Sequence, residues 1–557
     1  MLSFADCHAL VADIPAHIGA GLGIDTGLIT SASIPALGAG AVAIYYAASS
    51  LWSWFRLRHV PGPWLASFSY LWFMRVNARG ISARELVRIS RQYGSATVRI
   101  APNYVLTTDT QALRRISAPA RGSTSGGGYV RDSWWEGLRI DAEGVDNMLT
   151  TMDNAAHDHL KARTAAGYSG RDGVDIEASV DEALVKLKEL IRRSYTTPTS
   201  SSSLPSSAPV QAKKKVADLA WLVRFFTLDS ITALAYGESF GYLDADADLH
   251  GFNAQLADMT VSVAVMLNTP VLRALIKSPL GPYMMPRATD KDGMGKLIGI
   301  GQDFVARHFK SEKASVEAGA DMVSSFMRHG LSQKQCEVEC QVQIIAGADT
   351  TGTTIRTALL YVLSTPRIYN RLLKEITAAV TNGAVDADSV ITYQQARKLP
   401  YLQAVIYEAL RVRPPALYGH FKRVPPGGDT VGGVFLPGGT AVGHNLFGIM
   451  MARDVFGDDA ETFRPERLIV GEPGGCSDAA HKAEMERVIE LAFGSGRWMC
   501  AGKLVAFTQL SKVLFELLRE FDMQFVDPGR PWVEDAAMFW RQLHMHVRIS
   551  ERTDMGA

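Results

Sequence analysis

Cys500 is the residue whose surroundings point most directly to chemistry. It ends a glycine-rich stretch that begins at Phe493, and it precedes an apolar run with helical spacing from Leu504 to Leu517. Gly494 and Gly496 can adopt positive φ angles, so the backbone can turn its N–H groups toward the sulfur. A helix N-terminus also favours a deprotonated thiol, because the helix dipole stabilises negative charge there. The pattern predicts a thiolate ligand for iron, with a buried structural thiol as the alternative.

Asp349 and Thr350 form a second candidate for chemistry. They lie in a run of small and polar residues, 346–351, inside an apolar stretch that begins near Ser332 and ends at Thr365, just before a proline. Some thirty residues without proline predict a helix about 50 Å long. An adjacent aspartate and threonine can supply an acid and a proton relay. The alternatives are a threonine that bonds its own helix carbonyls and small residues that only permit a close helix crossing.

Two further pairs of charged residues have helical spacing. Glu408 and Arg411 are three residues apart, which places them on one face of a predicted helix. His157 and Lys161 are separated by one helical turn. Taken alone, both pairs are typical of exposed charges on a solvated helix face, where an ion pair contributes little to stability.

These segments, in this order and at this spacing, resemble the cytochrome P-450 family over roughly Pro61 to Ser550. The resemblance implies a mainly α fold with small β-sheets, built as a single haem domain with an N-terminal transmembrane helix. It also implies haem b as the cofactor, with Cys500 as the axial thiolate, a ligand that favours O–O cleavage. Thr350 would hydrogen-bond the bound dioxygen and Asp349 would link it to water, which makes these two the expected catalytic residues.

The resemblance also implies roles for other residues. The expected cofactor-binding residues are Cys500, Phe493, Gly496, Arg497, Gly502, His157 and Lys161. Among them, His157 and Lys161 would meet a haem propionate. Arg467 would join the pair of Glu408 and Arg411 in a buried structural network.

The cysteine loop departs from the family pattern at one position. Most members carry an arginine two residues before the cysteine, where this chain has Trp498, with Arg497 one residue earlier. The sequence therefore does not show which residue makes the contact with a haem propionate that this arginine usually makes. Because the family has a basic residue near this point, Lys422 or Arg423 is expected to compensate.

Composition limits the classes of function. The chain has 557 residues, of which 47% are hydrophobic, so it can bury a large core. Its formal net charge is zero, which argues against a nucleic-acid partner. Five cysteines without paired short spacings indicate a reducing compartment. Cys336 and Cys340 share a helix face and could bind metal, but core packing is favoured because no second pair accompanies them.

The N-terminal region predicts a membrane anchor. The expected organisation is a tail (1–27), a transmembrane anchor (28–55), a proline hinge (56–64) and a haem monooxygenase domain (65–557) with a low-complexity insertion (196–215). Arg56 and Arg58 follow the apolar run, so the catalytic domain should be cytosolic, at the endoplasmic reticulum membrane. A cleaved signal peptide is the competing interpretation.

The resemblance implies oxidation of a lipophilic small molecule, by hydroxylation or epoxidation. The apolar residues of 259–267 lie where the family forms the roof of its pocket, and Trp134 and Trp135 map near other substrate-facing loops, although plain core packing is the alternative. The resemblance implies electrons from NADPH through a separate cytochrome P-450 reductase. No glycine-rich nucleotide fingerprint follows a strand, which agrees with an external electron donor. The motifs are most like fungal enzymes of secondary metabolism in the pisatin demethylase-like group.

Other functions remain open at this stage. A haem-thiolate isomerase or dehydratase would need no external oxygen, and the intact pair of Asp349 and Thr350 speaks against it. A haem-binding sensor or carrier without turnover is a second alternative. A membrane-tethered helical protein without a cofactor is a third.

Overall fold

A computed structural model describes the chain over residues 33–119, 128–141, 143–196, 216–279, 281–311 and 319–552. Two compact units are distinguished, residues 1–58 and 59–557. The predicted tail lies outside the described residues, as does the predicted insertion except for Thr196.

Helices make up most of the described chain. The described α-helices are α1 (Ser33–Leu57), α2 (Leu71–Ala78), α3 (Ser82–Tyr93), α4 (Thr110–Ser117), α5 (Asn154–Ser169), α6 (Ile176–Ser194), α7 (Leu219–Tyr236), α8 (Tyr242–Ala245), α9 (Phe252–Leu267), α10 (Pro270–Lys277), α11 (Gly281–Met284), α12 (Gly293–Lys310), α13 (Met322–Arg328), α14 (Gln333–Ser364), α15 (Pro366–Thr381), α16 (Tyr393–Ala396), α17 (Pro400–Val412), α18 (Leu446–Met450), α19 (Arg453–Phe456), α20 (Ala479–Ile489) and α21 (Lys503–Glu520).

The strands form small sheets. They are β1 (Thr97–Ala101), β2 (Tyr104–Thr107), β3 (Val130–Arg131), β4 (Ala217–Asp218), β5 (Tyr418–Arg423), β6 (Asp429–Val431), β7 (Val434–Leu436), β8 (Ala441–Asn445), β9 (Phe521–Phe525), β10 (Val533–Ala536), β11 (Trp540–Leu543) and β12 (His546–Glu551). One sheet has the order β1-β2-β8-β5-β3 and another β4-β12-β9, while β10-β11 and β6-β7 are two-stranded. The predicted mainly α fold with small sheets is confirmed.

The 32-residue helix α14 is the central element of the core. Its start is set by a capping box, in which Ser332 and Gln335 bond each other's backbone N–H groups, and it ends before Pro366. These bounds confirm the helix predicted between Ser332 and Thr365. It packs against α7, α12, α17 and α21, and its buried apolar residues belong to one large hydrophobic cluster. A second cluster surrounds the five-stranded sheet.

The helix α1 overlaps the predicted membrane anchor, although residues 28–32 of that prediction lie outside the described part of the chain. Over the described residues, α7 is the one helix with the length and hydropathy of a membrane span, and 94% of that window is buried inside the protein. Burial in the core explains the apolar character of α7. The predicted anchor therefore stays a prediction.

Candidate active site

The loop before Cys500 is closed by backbone hydrogen bonds. The N–H of Cys500 donates to the carbonyl of Phe493 at 2.7 Å, and the N–H of Met499 donates to that of Gly496 at 3.2 Å. Gly494 and Gly496 have φ angles of +73° and +57°, the positive values that the sequence allowed. A Cβ on Gly496 would lie only 2.2 Å from the Ser117 carbonyl oxygen, so the loop packs directly against the end of α4.

The sulfur of Cys500 is placed to bind a ligand. It lies deep in the protein and yet is exposed, whereas Cys336, Cys340 and Cys476 are buried, so it faces an internal space. Burial raises the pKa of the Cys500 thiol, although the backbone N–H of Gly502 and the nearby lysine ammonium groups act in the opposite direction. A metal cation in contact with the sulfur would displace the proton outright, as coordinated thiols are deprotonated.

Lys161 and Arg497 connect α5 to the cysteine loop. The Lys161 ammonium donates to the carbonyl oxygens of Arg497 at 2.7 Å and Met499 at 2.9 Å. The Arg497 guanidinium donates to the Asp158 carboxylate at 3.0 Å. Both predicted cofactor-binding residues therefore lie at the loop, but protein oxygens already engage their charged groups.

His157, the residue one turn before Lys161, is buried beside the same loop. Its Nδ1 lies 3.2 Å from the Asp158 carboxylate. Burial and, after it, the charge of Arg131 lower the pKa of His157 to about 4. The imidazole is therefore neutral at physiological pH, and it can offer a hydrogen bond but no positive charge.

Arg131 and Lys422 form an unusual pair of buried cations. Strands β3 and β5 are antiparallel, and these two residues stand directly opposite each other. Like charges at opposed positions destabilise a sheet. Burial, followed by the charge of Arg131, lowers the pKa of Lys422 to about 7. The Lys422 ammonium lies over the rings of Trp498 and Trp135, at 5.1 and 5.7 Å, and forms no ion pair with the described residues.

Three buried side-chain nitrogen atoms near these cations lack a hydrogen-bond partner over the described part of the chain. They are Arg131 Nε, Trp498 Nε1 and His444 Nε2. A buried polar group without a hydrogen bond is costly, so it indicates a missing ligand or water. Two cations and an indole N–H beside the cysteine loop match an anion with several acceptor oxygens. The carboxylates of a haem are such acceptors, so the residues present fit that cofactor.

Of the two basic residues expected to compensate for the missing arginine, Lys422 points into this cluster. Arg423 instead donates to the Asp132 carboxylate at 2.9 Å, because alternate residues of a strand point to opposite faces. Arg131 was not predicted, since a single basic residue in a two-residue strand carries no sequence signal of its own.

Thr350 lies on a face of α14 that meets open space. Ala346, one turn earlier, is exposed in the middle of an otherwise buried helix, and Thr350 is half-buried. Such exposure within the core marks a cavity beside this turn. The Thr350 hydroxyl donates to the Ala346 carbonyl at 2.7 Å, which is the local bond that the sequence left as an alternative.

Asp349 is held by two arginines that sequence reasoning missed. Its Oδ1 accepts hydrogen bonds from Arg356 at 2.9 Å and from Arg224 at 3.3 Å. Burial alone would raise the pKa of Asp349, but the charges of Arg224 and Arg356 outweigh it and hold the pKa below its usual value. Arg356 follows at i+7, two turns along the same helix face, which is the one signal the sequence offered.

The predicted network around Glu408 is confirmed. Glu408 Oε1 accepts from Arg411 at 2.7 Å and from Arg467 at 2.9 Å, and all three side chains are almost completely buried. Arg411 Nε donates to Glu408 Oε2 at 2.7 Å, and Arg467 also donates to the Asp459 carboxylate at 3.1 Å. Both arginines donate as well to backbone carbonyls, including those of Met450 and Thr462. The network lies in the core and contains no unpaired charge among its three members.

The substrate-facing predictions have mixed outcomes. Trp134 and Trp135 are buried, and their indole N–H groups donate to Asn268 Oδ1 and to the Phe421 carbonyl, so they belong to the core. The apolar residues predicted as a roof lie on α9, where most of them are only half-buried. A separate surface groove of about 580 Å³ lies at 425–429 and includes none of the predicted site residues.

Comparisons with known proteins identify the family. The family model for cytochrome P450 matches residues 202–546. Cytochrome P450 monooxygenase ABA1 of Pyricularia oryzae (strain 70-15) is 42% identical over 512 residues, which cover 90% of this chain and 94% of the relative.

Two further fungal relatives agree. Cytochrome P450 monooxygenase aba1 of Botryotinia fuckeliana (strain B05.10) is 38% identical over 89% of this chain and 92% of its own length. Cytochrome P450 monooxygenase abl1 of Leptosphaeria maculans is 34% identical over 86% of this chain and 80% of its own length. The predicted likeness to fungal members is confirmed, whereas the pisatin demethylase-like group stays a prediction. With its exposed thiol and its buried cations, the chain belongs to the cytochrome P450 family of monooxygenases, which bind haem through a cysteine thiolate.

Proposed function

We propose that this protein inserts one oxygen atom into a lipophilic small molecule of fungal secondary metabolism, by hydroxylation or epoxidation. O2 is the oxidant, and electrons come from NADPH through a separate cytochrome P-450 reductase. The observation that carries the proposal is the exposed Cys500 sulfur beside buried cations that lack an anion. This combination matches haem, which offers both an iron for the thiolate and two carboxylates for the cations.

Specific residues would hold the haem. Cys500 would bind the iron, and Lys422, Arg131 and Trp498 Nε1 would receive the propionates. His157 would add a neutral hydrogen bond. When bound, the haem supplies the activation of dioxygen for insertion into a C–H or C=C bond.

The loop residues would shape the cofactor site. Gly496 permits the close approach to Ser117, and the ring of Phe493 packs on Phe507, with centroids 5.4 Å apart. Lys161 and Arg497 would act through the loop, because their contacts are with its carbonyls and with Asp158. They are therefore proposed to position Cys500.

Asp349 and Thr350 would control proton delivery. The two arginines keep Asp349 ionised, so the carboxylate can orient a water molecule but holds no proton of its own at neutral pH. The Thr350 hydroxyl donates to the Ala346 carbonyl, which leaves its oxygen free to accept a hydrogen bond from that water. Protons would therefore pass through water that these two side chains hold in place.

The helix α1 would anchor the enzyme in the endoplasmic reticulum membrane. Several large apolar side chains of this helix are exposed, among them Ile44 at 72%, Tyr45 at 76% and Trp52 at 65%. Exposed apolar side chains along one helix match a lipid environment. The catalytic domain would then face the cytosol, where the reductase donates electrons.

The proposal is tested with the full chain expressed in microsomes beside a fungal reductase. We expect candidate lipophilic metabolites to shift the ferric haem absorbance, to increase NADPH consumption and to acquire one labelled oxygen atom from ¹⁸O2. A product whose oxygen comes from water, or turnover without NADPH, would contradict the proposal.

The ligand assignment has its own control. Cys500→Ala should remove the red-shifted absorbance band of the reduced carbon monoxide complex, and Cys476→Ala, at a buried cysteine, should retain it. An unchanged spectrum in Cys500→Ala would exclude Cys500 as the ligand.

A further inference from the structure

Three side chains meet at the edge of the sheet β4-β12-β9. Asp218 ends β4, His546 begins β12, and the two residues pair directly in the antiparallel ladder. His544 lies two residues before His546. Each of the three offers one ligand atom, and these atoms lie within 4.8 Å of one another.

The carboxylate of Asp218 is already oriented. Its Oδ1 accepts hydrogen bonds from the backbone N–H groups of Ala220 and Met545, both at 2.9 Å. The other oxygen, Oδ2, lies 3.6 Å from His546 Nε2. Hydrogen bonds to one oxygen of a carboxylate commonly orient the other toward a metal ion.

The two histidines are presented on one side of the chain. The residue between them, Met545, is completely buried, and its carbonyl accepts a hydrogen bond from the N–H of Leu219 at 2.9 Å. Both imidazoles are exposed, with ring centroids 5.9 Å apart. The backbone is therefore held firmly while the side chains can still rotate toward a shared ligand.

His544 has a φ of +60°, in the left-handed region. A residue other than glycine rarely adopts this conformation. His544 lies in the short connection between β11 and β12, and its ligand atom lies within 4.8 Å of those of Asp218 and His546.

We propose that Asp218, His544 and His546 bind a divalent transition metal ion, for which Zn²⁺ is the best match. Two imidazoles and one carboxylate are a ligand set that zinc accepts, with water in the fourth position. Imidazole ligands disfavour Mg²⁺ and Ca²⁺, which prefer oxygen. In a tetrahedral zinc site the ligand atoms are about 3.3 Å apart, so the exposed imidazoles would move closer together on binding.

The ion would join two parts of the domain. Asp218 caps the start of α7, the helix that carries Arg224, and the histidines belong to the C-terminal strands. Zinc would thus tie the C-terminal strands to the first turn of a core helix. The three residues are separate from those proposed to hold the haem, so the two sites can be tested independently.

The test uses untagged, haem-loaded protein freed of adventitious metal by a chelator. Zn²⁺ is titrated in competition with a chromophoric zinc indicator, and the melting temperature is recorded with and without Zn²⁺. We expect one tight equivalent of Zn²⁺ and a higher melting temperature in its presence. Millimolar Mg²⁺ or Ca²⁺ should not displace the zinc.

Variants locate the bound ion. His544→Gln and His546→Gln should each lower the affinity for this equivalent of Zn²⁺ by roughly 100-fold. Asp218→Asn keeps an acceptor for both backbone N–H groups, because asparagine is also a good helix cap, and so it tests the charge without removing the cap. His481→Gln, at an exposed histidine on α20, is the matched control and should bind as the unaltered protein does.

The outcomes are distinct. Loss of one equivalent in the three site variants, with an unchanged haem spectrum, supports the proposal. Equal zinc binding by all variants, or no tight equivalent in the unaltered protein, overturns it. A misfolded variant is recognised by its altered haem spectrum, and the remaining two site variants then decide.

Discussion

Two groups of buried charges in this protein have opposite character. Around Glu408, the carboxylate, two arginines and several carbonyls satisfy one another. Around Lys422, two cations face each other across a strand pair with no carboxylate in an ion pair among the described residues. Burial costs both groups a similar desolvation free energy, but only in the first group do carboxylates of the chain pair with the cations.

The difference separates structural charges from ligand-binding charges. A buried ion network whose members are all paired needs nothing from outside and holds segments distant in sequence together. A buried group of cations without an anion destabilises the protein unless a cation loses its proton or a ligand supplies the negative charge. The comparison therefore predicts opposite responses to mutation, and the following experiments test it in order of decreasing effect.

Glu408→Gln should have the largest effect on stability. Buried Arg411 would lose its carboxylate partner and Arg467 would keep only Asp459, and breaking a buried pair in this way typically costs about 3–5 kcal/mol of unfolding free energy. We expect this loss with and without haem, because the network lies apart from the cofactor. Denaturant unfolding of both forms measures it, and a loss confined to the haem-bound form would contradict a purely structural role.

Lys422→Met should stabilise the haem-free protein and weaken haem binding by the haem-bound protein. The haem-free protein should gain on the order of 1 kcal/mol, because an uncompensated buried charge is removed. The haem-bound protein should release its cofactor faster, since a propionate loses its cation. Transfer of haem to apomyoglobin measures the release, and Arg423→Gln, at a residue paired with Asp132, is the matched control.

The affinity for haem should decrease as the pH rises above about 7. The pKa of Lys422 is lowered to about 7 in the haem-free fold, so the unfolded chain binds more protons between about pH 7 and 10, and the stability of the haem-free protein rises over that interval. A bound propionate would restore the proton on Lys422, so haem binding takes up a proton. Haem titrations at several pH values should show this decrease, and Lys422→Met should flatten it.

Thr350→Ala should have the smallest effect on structure. The hydroxyl bonds only to its own helix, so the free energy of unfolding should change by less than about 1 kcal/mol. The haem spectrum should stay unchanged. The expected change is in coupling, with more of the NADPH consumed appearing as peroxide than as product. Full coupling in this variant would remove Thr350 from the proposed proton path.

The local features of the molecule were predictable. The bounds of α14 followed from a capping residue and a proline, and the glycine turn before Cys500 followed from residues that allow positive φ. These signals act over a few residues, so the sequence displays them directly. The same holds for the spacing of Glu408 and Arg411, which is a property of a single helix turn.

The partners of the charged residues were not predictable. Arg224 reaches Asp349 across 125 positions of sequence, and Arg131 faces Lys422 across nearly three hundred. The burial of Trp134 likewise depends on Asn268, far along the chain. Such contacts depend on which elements pack together, and no periodicity in the sequence encodes them.

The sequence by itself determined the kind of chemistry, a thiolate on a glycine turn and an acid beside an alcohol in a long helix, because residue type and short spacing define reactive groups. The tertiary structure alone decided which charges are neutralised within the protein. It turned Lys422 inward and Arg423 outward, paired Asp349 with two arginines, and left Arg131 without an anion. The reason is that electrostatic pairing depends on distance and burial, which only the folded chain defines.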